Sequence, residues 1–231
     1  MVKHALIVGA GSGISASFAR LLAKEGAKVA LSARSTEKLT DLASEAKGPL
    51  IACDASKPAD VERLFATLDR DFGALDLVLY NPSARSRGPI ATLDPVEVET
   101  ALMVTAYGGF LVGQAAAKRM LGRGQGTILF TGASASVKGY ALSAPFAMGK
   151  FALRGLAQSM ARELHPKGIH VGHFIIDGMV RNAQKGTADK PGAPDSTLDP
   201  DAIAASYLDL VRQPRSAWTW EVELRPWVET F

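Results

Sequence analysis

Three glycines at alternate positions follow a short apolar run near the start of the sequence. The run covers residues 5–8, and an amphipathic segment with helical spacing then covers residues 14–25. This order predicts a strand, a tight turn and a helix. Glycines let a phosphate approach the backbone, and the start of a helix offers free N–H groups and the positive end of a dipole. The stretch predicts a dinucleotide site on a first βα unit, although a purely structural glycine turn has the same pattern. The expected phosphate-binding residues are Gly9, Gly11, Ser12, Gly13 and Ile14.

Segments with strand-like and helix-like patterns alternate along the whole chain. The predicted strands cover residues 5–8, 28–33, 50–53, 75–80, 127–131, 169–176 and 220–224. The predicted helices cover residues 14–25, 36–47, 59–72, 95–121, 147–164 and 200–212. Such alternation is typical of a parallel sheet with helices on both faces. We therefore predict a single α/β domain over residues 1–231, with a doubly wound parallel sheet of about seven strands.

Composition narrows the possible functions. The 231 residues are 47% hydrophobic, which suits one domain with a sizeable core. We expect no apolar run of the ~18–20 residues that a membrane helix needs, and no signal peptide, because a strand begins at once. The net charge of +3 comes from scattered basic residues and indicates no nucleic-acid partner. The single cysteine, Cys53, fits a reducing cytoplasm, and the four histidines have no metal-ligand spacing.

Three polar residues follow predicted strands, at the edge where a doubly wound sheet binds its ligand. Arg34 ends the second strand, where a guanidinium can pair with the 2′-phosphate of NADP or remain a solvated surface group. Asp54 follows the third strand, where it can accept from an adenine amino group or cap the next turn with Ser56. Asn81 ends the fourth strand and either faces the crevice or forms a turn before Pro82.

These motifs resemble the short-chain dehydrogenase/reductase family, and the resemblance covers about residues 4–226. The family's T-G-x-x-x-G-I-G motif matches residues 8–15, which read V-G-A-G-S-G-I-S. Asp54 matches the family's aspartate after the third strand, Asn81 matches the first residue of N-N-A-G, and Gly178 matches the glycine of Pro-Gly. The resemblance implies a single-domain Rossmann fold, a small-molecule substrate and a homodimer or homotetramer. It also implies a nicotinamide cofactor, with NADP favoured over NAD by Arg34.

The catalytic motif of that family is only partly present. Its members carry Y-x-x-x-K on the long helix, and Lys150 matches the lysine, which the resemblance places near the nicotinamide ribose. Phe146 stands where the tyrosine belongs, and Thr105 stands where the family has an asparagine. Ala133 stands at the position of the family's serine, with Ser134 next to it. Of this set, only the lysine is clearly retained. The alternative interpretation of Lys150 is a surface lysine without a role in the site.

The loss of a tyrosine hydroxyl matters because carbonyl reduction needs a hydride on carbon and a proton on oxygen. Losing a general acid typically costs ~10²–10⁴-fold in rate. Four hydroxyls near the predicted crevice are candidate substitutes, Tyr140, Ser143, Ser134 and Ser136. Ser134 is preferred because it directly follows a strand end, whereas Tyr140 can be a surface or packing residue. The expected catalytic set is Lys150, Ser134 and Tyr140.

Residues 182–199 lose all apolar periodicity and are rich in Gly, Pro, Asp, Lys and Thr. A polar loop of this length inside a compact domain is usually functional or mobile. We interpret it as a lid over a substrate pocket, with an inert surface loop as the alternative.

Two functions of different classes fit the sequence. The first is an NADP(H)-dependent oxidoreductase acting on a carbonyl or alcohol substrate with an atypical active site. The second is a catalytically weak or inactive NADP(H)-binding sensor or assembly protein, which Phe146 favours. Non-redox chemistry with Ser134 or Tyr140 as acid or base is a third interpretation. We expect the oxidoreductase, because cofactor residues and a lid-like loop occur together.

Overall fold

In a computed structural model, which describes residues 1–229, the chain forms one sheet of seven parallel strands. The strands are β1 (His4–Val8), β2 (Lys28–Ala33), β3 (Lys47–Ala52), β4 (Leu77–Tyr80), β5 (Gly126–Thr131), β6 (Ile169–Ile176) and β7 (Glu221–Leu224). The helices are α1 (Ile14–Lys24), α2 (Thr40–Ala46), α3 (Pro58–Asp71), α4 (Pro95–Leu102), α5 (Gly108–Leu121), α6 (Ala144–Leu164) and α7 (Pro200–Val211). A π-helix, Met103–Tyr107, joins α4 to α5.

The order of the strands across the sheet is β3-β2-β1-β4-β5-β6-β7. The chain first moves outward from β1 through β2 to β3, and then returns to place β4 on the other side of β1. In such a sheet, ligands bind outside the carboxyl ends of the strands where the order reverses. The predicted doubly wound α/β fold is therefore confirmed, and the crevice is expected beyond the ends of β1 and β4.

Helices cover both faces of the sheet. On one face α1 packs against α7 and α2, and the Phe18 ring meets the Tyr207 ring edge to face with centroids 5.4 Å apart. On the other face α3, α5 and α6 pack together around Phe65, Val112 and Leu153. All four side chains of β4 are buried, because helices lie above and below the middle of the sheet.

The largest departure from the predicted helices is at α2. The helix expected over residues 36–47 begins at Thr40, because residues 36–39 form a turn in which Leu39 N–H donates to the Thr36 carbonyl at 2.9 Å. The start of α4 agrees with the sequence, since the Asp94 carboxylate accepts from Val96 N–H at 2.9 Å. Boundary differences of this kind do not change which residues reach the carboxyl edge of the sheet.

The continuous helical segment Pro95–Leu121 is long and apolar enough to cross a membrane when judged by length and composition alone. The expectation that no segment meets those two measures was therefore wrong. Val112, Ala116 and Met120 of this segment are buried against the sheet and the neighbouring helices. A buried core helix can have the same length and apolar composition, so the segment is weak evidence for a membrane span.

Candidate active site

A cleft of about 1060 Å³ runs along the carboxyl edge of the sheet. Its walls come from the residues that directly follow β1 to β6, together with the start of α6 and part of the segment after β6. Every residue that the sequence singled out for a site lines this cleft, except Ser136 and Thr105. The predicted site residues in the cleft are Gly9, Gly11, Ser12, Gly13, Ile14, Arg34, Asp54, Asn81, Ser134, Tyr140, Ser143, Lys150 and Gly178.

Gly9 makes the sharp turn that ends β1. Its φ of +80° is a conformation that side-chain-bearing residues rarely adopt, and a Cβ there would lie 2.7 Å from the Pro82 nitrogen. Gly9 N–H and Ala10 N–H both donate to the Ser32 carbonyl, at 2.8 and 3.0 Å. The turn is thus hydrogen-bonded to β2 and packed against the segment after β4. Because a Cβ would collide with Pro82, only glycine fits at this position.

Ser15 stands where the family motif ends in glycine, and its hydroxyl has a structural role. The hydroxyl donates to the Gly9 carbonyl at 2.9 Å and accepts from the Asn81 side-chain amide at 2.8 Å. The same amide lies 3.3 Å from the Gly9 carbonyl. Asn81 therefore faces the glycine turn and supports it from the end of β4, while Pro82 packs on Gly9.

The start of α1 points at the cleft without a side-chain cap. Gly13 is its N-cap residue and offers no side-chain acceptor, so the first N–H groups of the helix are available to an anion. A Cβ on Gly11 would meet nothing within 4 Å, which leaves open space above the turn. Across that space Asn182 donates to the Ser12 hydroxyl at 3.1 Å. The beginning of the 182–199 segment therefore rests directly on the glycine turn.

Arg34 and Asp54 follow β2 and β3 at the same end of the cleft. Arg34 is exposed, and within residues 1–229 its guanidinium has neither a hydrogen bond nor an ion pair. The Asp54 carboxylate accepts from Ser56 N–H at 3.1 Å and from the Ser56 hydroxyl at 2.7 Å. Asp54 thus caps the turn after β3 together with Ser56, which was one of the two roles predicted for it. It also lines the cleft.

Gly178 follows β6 and allows the chain to pass close to the C-terminal segment. A Cβ at this residue would lie 2.6 Å from the Pro226 side chain. The preceding residue, Asp177, is buried, and its carboxylate is paired with Lys138 at 3.3 Å and Arg225 at 3.1 Å. The acid in this wall of the cleft is therefore already neutralised by protein side chains.

Lys150 lies on α6, one turn after Phe146, and both residues line the cleft as their spacing of four predicts. Only 2% of Lys150 is exposed, and its Nζ donates to the Thr131 carbonyl at 2.7 Å. Burial, reinforced by the positive charge of Arg85, lowers the pKa of Lys150 to about 7. The Nζ atom lies 5.9 Å from the centroid of the Phe146 ring. The site thus holds a lysine whose proton is exchangeable near neutral pH.

The four candidate hydroxyls divide into two groups. Ser134 and Ser143 are half-buried in the wall of the cleft, and Tyr140 is 48% exposed at its rim. Ser136 is buried away from the cleft, since its Oγ accepts from Ala133 N–H at 3.1 Å. Its inclusion among the candidate proton donors was wrong, because the turn after β5 directs neighbouring serines to opposite sides.

Thr105, which stands at the family's asparagine position, does not line the cleft. It is fully buried within the π-helix, and its hydroxyl accepts from Ala84 N–H at 3.1 Å. A Cβ on Gly149 would lie 2.9 Å from the Thr105 Cβ, so α6 packs directly on this residue. Thr105 therefore holds the segment after β4 in position beside α6.

Behind Ser134, a buried polar network fixes the turn after β5. The His173 Nδ1 lies 3.0 Å from the Glu221 carboxylate, which also accepts two hydrogen bonds of 2.7 Å from Arg154. The His173 Nε2 lies 3.5 Å from the Ser136 Oγ. Burial lowers the pKa of His173 to about 4, although Glu221 opposes the shift. His173 is therefore neutral at physiological pH and serves as a structural link.

We expect the protein to lose stability as the pH falls from about 6.5 towards 4. Burial also lowers the pKa of His170 to about 4, and an unfolded histidine titrates near 6.5. Between these values the unfolded chain binds more protons than the folded one, so each histidine costs on the order of 2–3 kcal/mol of unfolding free energy at pH 4. Denaturant titrations between pH 8 and 4.5 measure this loss, which begins above the range where carboxylates protonate. The double variant His170→Asn/His173→Asn should flatten the curve from pH 6.5 to 5, and an unchanged slope would contradict the assignment.

The 182–199 segment is more ordered internally than its composition predicts. The Asp189 carboxylate accepts from Thr197 N–H at 2.9 Å, from the Thr197 hydroxyl at 2.5 Å and from Asp195 N–H at 3.1 Å. These bonds hold the pKa of Asp189 below its ordinary range. Leu198 pairs with Val180 in an isolated parallel bridge. The role of this segment as a lid remains a prediction.

Sequence reasoning missed two arginines in the cleft, Arg85 and Arg87, which follow β4. The Arg85 guanidinium carbon lies 4.1 Å from the centroid of the Phe146 ring. Their position just beyond a strand end was a usable signal, because such residues face the crevice of a doubly wound sheet.

Comparisons with known proteins agree with this geometry. A family model described as short chain dehydrogenase matches residues 3–190. An uncharacterized oxidoreductase of Staphylococcus aureus is 30% identical over 230 residues, which is 97% of each chain. A crystal structure of a short-chain dehydrogenase from Rhodopseudomonas palustris is 36% identical, with a TM-score of 0.81 over 97% of this chain and 99% of that one. An archaeal alcohol dehydrogenase from Thermococcus sibiricus, complexed with 5-hydroxy-NADP, is 25% identical, with a TM-score of 0.86 over 99% and 98%.

The chain therefore belongs to the short-chain dehydrogenase family of oxidoreductases, whose fold binds a nicotinamide cofactor. The resemblance drawn from the glycine turn and Lys150 is confirmed at the level of the family.

Proposed function

We propose that the protein is an NADP(H)-dependent oxidoreductase that interconverts a carbonyl and an alcohol. The observation that carries this proposal is the single cleft that holds the glycine turn and Arg34 at one end and Lys150 with Ser134 at the other. One end has the groups that bind a dinucleotide, and the other has the groups that exchange a proton with a substrate. A cleft that combines a dinucleotide-binding end with a proton-exchanging end is best explained by hydride transfer between a cofactor and a substrate that meet in the middle of the cleft.

The residues of the cleft fit the cofactor. Gly9 and the uncapped start of α1 suit the pyrophosphate, since the backbone approaches closely and its N–H groups face the open space over Gly11. Arg34 lacks a partner among the described residues and suits a 2′-phosphate. We therefore assign NADP rather than NAD. The Thermococcus sibiricus alcohol dehydrogenase, with its bound 5-hydroxy-NADP, supports this assignment by similarity. Asp54, Asn81 and Gly178 complete the proposed cofactor site.

Carbonyl reduction needs a hydride on carbon, which a bound NADPH would supply, and a proton on oxygen, which the chain itself has to supply. Phe146 has no hydroxyl. Lys150 is the proposed donor, because a general acid works best when its pKa lies near the working pH, and the pKa of Lys150 is about 7. One of its N–H groups is used by the Thr131 carbonyl, which fixes the direction of the others. Ser134 is proposed to hold the carbonyl oxygen, and Tyr140 at the rim is the alternative donor.

A second candidate function is cofactor binding without appreciable catalysis, as in a sensor or assembly protein. Phe146 is the observation that favours it. The variant Phe146→Tyr places a hydroxyl one helical turn before Lys150 and serves as an internal standard. We follow NADPH consumption by wild type and by this variant over one panel of aldehydes and ketones. Wild-type turnover within about 100-fold of the variant's supports the oxidoreductase. Turnover by the variant alone supports the binding protein.

We further propose that the protein is a cytoplasmic homodimer or homotetramer. Phe110 on α5 and Met148 and Phe151 on α6 are 40%, 50% and 45% exposed. Large apolar side chains grouped on neighbouring helices are typical of surfaces that a second subunit covers. The one cysteine in the sequence, Cys53, is compatible with a reducing compartment.

A further inference from the structure

Two arginines stand at the substrate end of the cleft, beside the residues proposed to react. Arg85 and Arg87 lie in the segment after β4, and both line the cleft. The Arg85 guanidinium carbon is 4.1 Å from the centroid of the Phe146 ring, and the Lys150 Nζ is 5.9 Å from the same centroid. Both basic side chains therefore approach the same ring. This ring lies on α6, whereas the glycine turn precedes α1.

Among residues 1–229, no carboxylate forms an ion pair with either of these two guanidinium groups. In the described part of the chain, neither Arg85 nor Arg87 has a carboxylate partner or a hydrogen-bond acceptor. Of the nearby acids, Glu97 accepts from the Ser86 hydroxyl at 2.7 Å, and Asp177 is paired with Lys138 and Arg225. Glu229 also lines the cleft and, like Arg85 and Arg87, it is exposed, but it is not paired with either arginine.

Arg85 and Arg87 are exposed in the wall of the cleft and Lys150 is buried, and like charges gathered in one cleft repel one another unless an anion neutralises them. Burial, reinforced by the charge of Arg87, lowers the pKa of Arg85, and burial, reinforced by the charge of Arg85, lowers the pKa of Lys150. A ligand with negative charge would remove this repulsion on binding. The electrostatics of the site therefore favour an anion next to Phe146.

The position of the Arg85 guanidinium over the Phe146 ring also bears on recognition. The contact uses the guanidinium carbon and the apolar ring, so it leaves the N–H donors of the guanidinium without an acceptor. Two parallel N–H groups match the two oxygens of a carboxylate or of a phosphate. A tyrosine at residue 146 would add a hydroxyl to this ring, whereas phenylalanine leaves the ring as an apolar support for the guanidinium.

We propose that Arg85, assisted by Arg87, binds an anionic group of the substrate, so that the substrate is a carbonyl compound that also carries a carboxylate or a phosphate. The anionic group is held at Arg85 while the reacting carbonyl lies towards Lys150 and Ser134. This inference rests on the proposed function, because it describes the substrate of the same site. It assigns to Arg85 a role in specificity that no comparison with relatives supplies.

The test compares matched ligands on the NADP⁺-loaded full chain, so that the cofactor's phosphates already occupy the other end of the cleft. The probes are 4-oxopentanoate against its methyl ester, benzoylformate against its methyl ester, and dihydroxyacetone phosphate against dihydroxyacetone. Calorimetry measures each dissociation constant in wild type, Arg85→Gln and the control Arg162→Gln, whose arginine is exposed on α6 outside the cleft. NADPH oxidation with the same compounds is measured in parallel.

We expect at least one charged probe to bind about tenfold more tightly than its neutral partner, with the preference lost in Arg85→Gln and kept in Arg162→Gln. The pair that shows the preference tells whether the anion is a carboxylate or a phosphate. Equal binding of all charged and neutral partners, or a preference that survives in Arg85→Gln, would overturn the inference. Turnover of neutral carbonyls without that preference leaves the proposed function standing and removes the anion site. Charge-selective binding without any turnover supports the anion site and contradicts the proposed oxidoreductase function.

Discussion

Lys150→Met is expected to lower kcat/KM for carbonyl reduction by about 10²–10⁴-fold, the usual effect of losing a general acid. Methionine keeps the length of the side chain and fills the same buried space, but it has no proton to give and cannot bond to the Thr131 carbonyl. The fold should survive, because the change removes a buried charge that has no carboxylate partner among residues 1–229. Steady-state NADPH oxidation gives the rate, and thermal unfolding checks that the variant is folded.

The control is Lys118→Met, which makes the same change at an exposed lysine on α5 outside the cleft. It should leave kcat/KM within about twofold of wild type. The pH profile adds a second check. Carbonyl reduction should decline above pH about 7, where Lys150 loses its proton, and alcohol oxidation should rise over the same range. A Lys150→Met enzyme with nearly full activity would show that another group, such as Tyr140, donates the proton.

Arg34→Glu is expected to weaken NADPH binding by about 100-fold, because the change removes a charge-assisted contact with the 2′-phosphate and places a like charge beside it. NADH lacks that phosphate, and its affinity should be unchanged or improved, since a carboxylate can accept from the free ribose hydroxyl. Arg34 is exposed and has no partner within residues 1–229, so its substitution should not disturb the fold.

The matched control for this charge reversal is Arg162→Glu, at an exposed arginine outside the cleft. Calorimetric titrations of both nucleotides into the two variants separate a local contact from a general change in net charge. Equal losses of NADPH affinity in Arg34→Glu and Arg162→Glu would contradict a 2′-phosphate contact at Arg34. A loss of NADH affinity as large as that of NADPH would point to disruption of the turn.

The fold was predictable because its signals are local and repeated. Each strand is a short apolar run, and each βα turn leaves its polar residue at the same edge of the sheet. Gly9 and Asn81 were therefore assigned to one crevice before any contact was known. The start of α2 was less predictable, since a turn over residues 36–39 and the first turn of a helix have similar sequences.

The parts of the site that sequence reasoning missed depend on side-chain direction. Ser134 and Ser136 are two residues apart in one turn, and only the fold shows that the first faces the cleft and the second faces His173. Asp54 had two possible partners, and its bonds to Ser56 are set by a loop. The contact between Arg85 and the Phe146 ring joins residues 61 positions apart, which spacing cannot reveal.

Binding of NADP(H) for redox chemistry in the one cleft of this short-chain dehydrogenase underlies the proposed function. The most direct measurement is a calorimetric titration of the wild-type protein with NADPH and, separately, with NADH. We expect saturable binding of NADPH with an affinity at least about tenfold higher than that of NADH, because of the single contact at Arg34. Failure of both nucleotides to bind would contradict both proposed functions, because the oxidoreductase and the binding protein need the same cofactor site.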